Sequence, residues 1–260
     1  MPASPEARSL AVFCDFENVA LGVREAKYAQ FDMDKVLERL LLKGSIVVKK
    51  AYCDWERYKE FKPAMHAASF EMIEIPHLRQ SGKNSADIRM VVDALDLCYT
   101  KEHVDTFVIV SGDSDFSPLV SKLRENAKTV IGVGVKNSSS DLLINNCDEF
   151  IYYDDLVRQD EQKRRAAKKR REAAPAAEDK KQEAYDVVLE TLNALIAERG
   201  AEEKIWGSMV KQALKRRKPG FNESYYGFRA FSDLLEEMQQ KALIKLDPDE
   251  KSGGYLIRPA

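Results

Sequence analysis

Two aspartates stand two residues apart in Val108-Ile109-Val110-Ser111-Gly112-Asp113-Ser114-Asp115-Phe116-Ser117. An apolar run stops at Ser-Gly, the acids follow, and Pro118, Leu119, Val120 and Leu123 begin a helical pattern. The segment reads as strand, tight turn and helix, with both carboxylates on the turn. Ligands of open α/β sheets bind beyond the carboxyl ends of strands, so this turn is where such a fold would place its chemistry. Helix capping is the plain alternative, since Asp113 or Ser114 suits an N-cap and Asp115 a first turn. A second strand ending the same way favours function: Leu10-Ala-Val-Phe-Cys14 runs into Asp15-Phe16-Glu17-Asn18.

Asp15, Asp87, Asp113 and Asp115 are therefore the candidate catalytic acids, with Asp141 a fifth that reads more readily as a helix-start residue. Asp87 follows Asn84 and Ser85, so a capping arrangement competes with a ligand role there. Asp93 and Asp96 are expected on the exposed face of the same helix, away from the cluster. Two carboxylates ~4 Å apart repel by about 4 kcal/mol at an effective dielectric of about 20, so a cluster needs protonation or a cation. Oxygen ligands without His or Cys favour a hard ion, Mg²⁺ or Mn²⁺, able to activate water against a phosphodiester. Asn18, three positions after Asp15, can orient a ligand or a water. Lys83 and Ser111 can hold phosphate oxygens.

Other chemistries lack their residues. No GxGxxG follows the first strand, and Gly132-Val-Gly134 comes only after the fifth. Neither a GxxxxGK[ST] loop nor a GxSxG elbow is present. An aspartyl-phosphate phosphatase would want a second Asp where Glu17 stands.

The elements that position these acids alternate. Strands are expected over Leu10–Cys14, Ile46–Cys53, Glu71–Ile75, Thr106–Val110 and Thr129–Val135, with Glu149–Tyr153 a further candidate. Helices are expected over Phe31–Lys43, Trp55–Phe70 and Ser85–Tyr99, the last burying Ile88, Val91, Val92 and Leu95. Alternation predicts an α/β domain with a parallel sheet and helices on both faces. The order 3-2-1-4-5 puts the switch point between strands 1 and 4, where Asp15 and Asp113 meet.

The 260 residues suit one or two domains; 44% are hydrophobic and 9% aromatic, enough for a core. Charged residues make up 32%, yet net charge is only −2, so any nucleic-acid surface is local. Four cysteines lack a CxxC pair, and three histidines lack metal spacing with them, which predicts reduced, mostly buried thiols. No stretch approaches the ~20 apolar residues of a membrane span, and the start has no apolar leader; no membrane contact and a cytoplasmic location are expected.

From Leu156 to Glu183 arginine and lysine crowd among alanines, a linker helical in part before Ala174. A second core follows, with helices expected over Tyr185–Ile196, Ile205–Leu214 and Phe221–Met238 and a hairpin around Asp247–Gly254. Three helices and a hairpin make a winged helix-turn-helix. Lys211, Lys215, Arg216, Arg217 and Lys218 form a basic patch near Tyr225, Tyr226 and Arg229. Such cations neutralise phosphates, and Tyr and Arg planes stack on unpaired bases. Partly buried tyrosines beside a solubilising turn remain the alternative.

At Cys14-Asp-Phe-Glu-Asn18, the Lys83 to Asp87 stretch and Ser111-Gly-Asp-Ser-Asp-Phe116 the chain resembles the NYN domain of the PIN-like nuclease superfamily, over roughly residues 8–155. That resemblance implies a Rossmann-like three-layer fold and a metal-dependent ribonuclease site. Asp15, Asp87, Asp113 and Asp115 would be its metal-binding acids and Asn18 a supporting residue. Residues 183–259 resemble the OST-HTH, or LOTUS, domain through Gly220 to Leu235 and the Gly253-Gly-Tyr255 hairpin, with 156–182 as the basic linker. This family is associated with RNA binding, single-stranded or structured, and some members bind protein partners such as helicases. Together they imply an endoribonuclease with an RNA selector. The alternatives are an RNA-binding adaptor that does not cut and a regulator that binds duplex DNA through the winged helix. Small nuclease domains often pair, so a homodimer stays open.

Overall fold

The computed structural model describes residues 8–28, 30–75, 85–171, 179–200, 203–249 and 254–260. The chain divides into two compact units, Met1–Ala166 and Ala167–Ala260.

In the first unit six strands form one sheet: β1 (Arg8–Asp15), β2 (Gly44–Cys53), β3 (Glu71–Glu74), β4 (Thr106–Val110), β5 (Thr129–Gly134) and β6 (Glu149–Tyr152). Their order is β3-β2-β1-β4-β5-β6, and every pairing is parallel. This is the expected order, with Glu149–Tyr152 added as an edge strand. Helices α1 (Phe16–Glu25), α2 (Met33–Lys43), α3 (Lys62–Ala67), α4 (Ser85–Thr100), α5 (Ser117–Glu125), α6 (Asp141–Asn146) and α7 (Tyr153–Arg171) connect and follow the strands.

Side chains alternate across the central strand, as the pleat requires. Leu10, Val12 and Cys14 join a core with α1, α2, α3 and the start of α7; Ala11 and Phe13 join another with α4, α5 and α6. The result is three layers. Leu10 to Cys14 are wholly buried, which is why β1 reads as an unbroken apolar run.

Two local expectations are corrected. The stretch 55–70 is not one helix but turns, a 3-10 segment at Lys59–Phe61 and the short α3. Trp55 is drawn into the core, where its indole donates to the Ile73 carbonyl at 3.1 Å, and Pro63 marks where α3 starts. Of the expected face of α4, Val91 and Leu95 pack partly buried against the core, but the buried residues are Met90, Ala94 and Cys98, and Ile88 and Val92 are exposed. Asp93, expected outside, is turned inward. It accepts from Tyr52 Oη at 2.9 Å and Arg89 Nε at 3.1 Å, which ties α4 to the end of β2.

The second unit holds α8 (Asp179–Arg199), α9 (Gly207–Arg217), α10 (Phe231–Gln240) and an antiparallel hairpin, β7 (Ile244–Pro248) and β8 (Tyr255–Pro259). The expected third helix is shorter at its start. A 3-10 turn at Glu223–Tyr226 ends at Gly227, whose φ of 87° lies in the left-handed region that glycine adopts without strain. Trp206 bridges to Leu256, joining the start of α9 to the wing.

Candidate active site

Asp15 is the last residue of β1 and the N-cap of α1. Its Oδ1 accepts from Asn18 N at 3.3 Å and its Oδ2 from Ser111 Oγ at 3.2 Å. It is only 7% exposed. Burial above all raises its carboxyl from the ordinary 3.8 to about 7; the charges of Asp87 and Asp113 add to this, and the hydrogen bonds from Asn18 and Ser111 oppose it. A carboxylate so placed holds a proton near neutrality unless a cation approaches.

The turn after β4 is held by the same residues. Asn18 Oδ1 accepts from Gly112 N at 2.9 Å, so its carboxamide supports the turn backbone. Ser111 is fully buried: its hydroxyl donates to Asp15 and accepts from Asp113 N at 3.2 Å. It links the two acids through one hydroxyl. Gly112 has no room for a side chain, since a Cβ would lie 2.3 Å from the Ser138 carbonyl oxygen. The Ser138–Ser140 loop closes on this turn through Ser140 N to Gly112 O at 2.9 Å, a contact with no signal in the sequence.

Asp113 caps the 3-10 turn Ser114–Phe116 by accepting from Asp115 N at 3.0 Å. Capping and acidity thus coexist at both strand ends. Asp87, in the first turn of α4, reaches Asp15 through its charge and lines one cleft with the exposed Asp115. Asp141 is the exposed first residue of α6, behind the Ser140 cap. Lys83 lies outside the described residues.

Among the described residues no three Asp, Glu, His or Cys side chains stand close enough together to grip a metal ion. The donor chemistry nonetheless suits a hard cation: carboxylates only, one of them with a strongly raised proton affinity. Mg²⁺ is commonly held by one or two carboxylates, with waters and substrate phosphates completing its shell. The residues fit such a water-rich site and do not form a closed cage.

The NYN domain family matches residues 9–154, which contain all four acids. The chain belongs to that family. NYN domains fall among the PIN-like nucleases. The OST-HTH/LOTUS domain family, an RNA-binding one, matches residues 184–251 of this NYN protein. An uncharacterized protein of Methanocaldococcus jannaschii is 30% identical over 125 residues, 48% of this chain and 49% of the relative. The chain thus spans about half the length of that curated relative. A crystal structure of a protein of unknown function from Vibrio parahaemolyticus matches with a TM-score of 0.52 and 28% identity, covering 59% of this chain and 97% of that one.

The LOTUS unit of this NYN protein divides the expected basic patch. Lys215, Lys218 and Arg229 are exposed, and Tyr225 is 62% exposed with Lys180 Nζ 4.9 Å from its ring centroid. Tyr226 is half-buried, stacked on Phe221 at 5.2 Å. Lys211 pairs with Glu223 at 3.0 Å, and Arg216 is half-buried. Arg217 is a correction: its side chain is 4% exposed and binds Glu190 at 2.9 Å, bracing α9 on α8. The four cysteines are free, with Cys14, Cys53 and Cys98 buried, and no described helix is long and apolar enough to cross a membrane.

Proposed function

We propose that this NYN protein is a divalent-metal-dependent endoribonuclease whose LOTUS domain selects the RNA. The carrying observation is the buried Asp15, electrostatically coupled to Asp87 and Asp113 where β1 and β4 end. Asp15, Asp87, Asp113 and Asp115 would line the site of a Mg²⁺ or Mn²⁺ ion, which would be held by one or two of them directly, with waters and substrate phosphate completing its shell. The bound ion supplies Lewis-acid stabilisation of charge on the phosphodiester and lowers the pKa of an attacking water. Asn18 and Ser111 are positioning residues, keeping the β4 turn and Asp15 in register. The nuclease body is residues 8–155, 156–182 is a basic linker, and 183–259 engages RNA through Lys215, Lys218, Arg229 and Tyr225. Free thiols suit a reducing compartment, so the proposed location is the cytoplasm.

A second reading, an RNA-binding adaptor that does not cut, is favoured by the lack of a three-acid group among the described residues. One assay separates them. End-labelled single-stranded and structured RNAs are incubated with wild type and Asp113→Asn in Mn²⁺, Mg²⁺ or EDTA. Metal-dependent products lost in the variant support the nuclease. Retention of RNA in a gel shift, without products under any divalent ion, overturns it in favour of the adaptor.

A further inference from the structure

An open cleft of about 620 Å³ adjoins the acids, within the ~300–1,000 Å³ range of small-molecule sites. Asp87 and Asp115 line it. Ile88 from α4 and Leu142 from α6 also line it, 62% and 57% exposed. These two exposed aliphatic side chains therefore stand beside polar lining residues. Ser117 and Ser121 of α5 line it as well. Ser117 is 5% exposed, and its Oγ has no hydrogen-bond partner among the described residues. A buried polar atom without a partner calls for an explanation.

No lysine or arginine lines the cleft among the described residues. A second phosphate is therefore disfavoured in it, next to two carboxylates. A nucleobase fits: its flat faces meet aliphatic side chains, and its edge can meet the Ser121 hydroxyl, which both donates and accepts. We propose that the cleft receives the base of a nucleotide adjoining the scissile phosphate and sets the base preference of cleavage. This rests on the nuclease reading, because Asp87 and Asp115 must face the reacting phosphate.

The test has two arms. In the first, RNA randomised around the cut is digested in Mn²⁺ and the products are sequenced. Wild type should show a base preference at one flanking position. Ile88→Ser combined with Leu142→Ser should flatten that preference and raise KM roughly tenfold through lost apolar burial, with a smaller change in kcat. Both positions are exposed, so the double variant should fold. Random flanking bases, or a preference unchanged in the double variant, overturns the proposal. So does a shift from dimer to monomer by light scattering with preference kept, which would make the aliphatic pair a self-interface. In the second arm, RNA carrying 6-thioguanosine is irradiated on the protein in Ca²⁺ and cross-linked peptides are mapped. Cross-links at α4 and α6 support the cleft; cross-links only elsewhere overturn it. If no RNA is cut under any ion, the nuclease reading fails separately and the cross-linking arm alone decides whether a base occupies the cleft.

Discussion

Replacing Asp15 by Asn should stabilise this protein in the absence of metal, and the gain should depend on pH. Asp15 is 7% exposed, so solvent screens its charge little. Raising its carboxyl from 3.8 to about 7, at about 1.36 kcal/mol per pH unit, corresponds to about 4 kcal/mol of folding free energy. A carboxyl whose folded pKa is raised contributes stability that is fully present below pH 3.8 and is lost as pH rises through about 7. Asparagine keeps an oxygen for Asn18 N without the charge. Its advantage over wild type should be small at pH 4, about 1–2 kcal/mol at pH 5 and about 4 kcal/mol above pH 7. For a unit of this size that maximum is roughly 8–16 °C in Tm. Urea or thermal unfolding in EDTA across pH 4–8.5 measures it. Mn²⁺ should then raise the Tm of wild type more than that of Asp15→Asn, because the cation relieves a repulsion the variant lacks. Parallel stability curves for the two proteins across this range, or equal gains in Mn²⁺, would refute the reasoning.

Asn18→Ala removes the acceptor of Gly112 N and should cost about 1–3 kcal/mol in chemical denaturation, with Asp15 still present. Gly112→Ala drives a Cβ against the Ser138 carbonyl and should lower stability by at least about 1–3 kcal/mol, or prevent soluble expression. Tyr52→Phe removes the hydroxyl bound to Asp93 and should cost about 1.5–3 kcal/mol, read as a lower urea midpoint. In the LOTUS unit, Lys215→Ala with Lys218→Ala should weaken RNA binding and reduce the salt slope by about one for each phosphate no longer neutralised. Arg217→Ala should leave that slope unchanged and lower the Tm, because its guanidinium is committed to Glu190.

Much of this arrangement is legible in the chain. The unbroken apolar run Leu10–Cys14 specifies a strand buried on both faces, and the alternation of strands and helices specifies a parallel sheet. Topology then brings Asp15 and Asp113 to one crevice. The amphipathic period of α4 misleads for a physical reason. Apolar residues surround much of that helix, so two faces satisfy the pattern, and only the sheet chooses Met90, Ala94 and Cys98. That choice leaves Ile88 in water beside Asp87 and turns Asp93 inward onto Tyr52.

The sequence by itself determined the alternation of strands and helices and the acidic residues at strand ends, because burial and periodicity are properties of neighbours along the chain. The tertiary structure decided what those residues do for one another. Ser111 became a link between acids, Arg217 a brace, and Ser138 the reason for Gly112. It also placed Ile88 and Leu142 on one cleft, though 54 positions separate them in the chain. Hydrogen bonding and close packing act at a few ångströms, and which residues come that near depends on how the helices settle on the sheet.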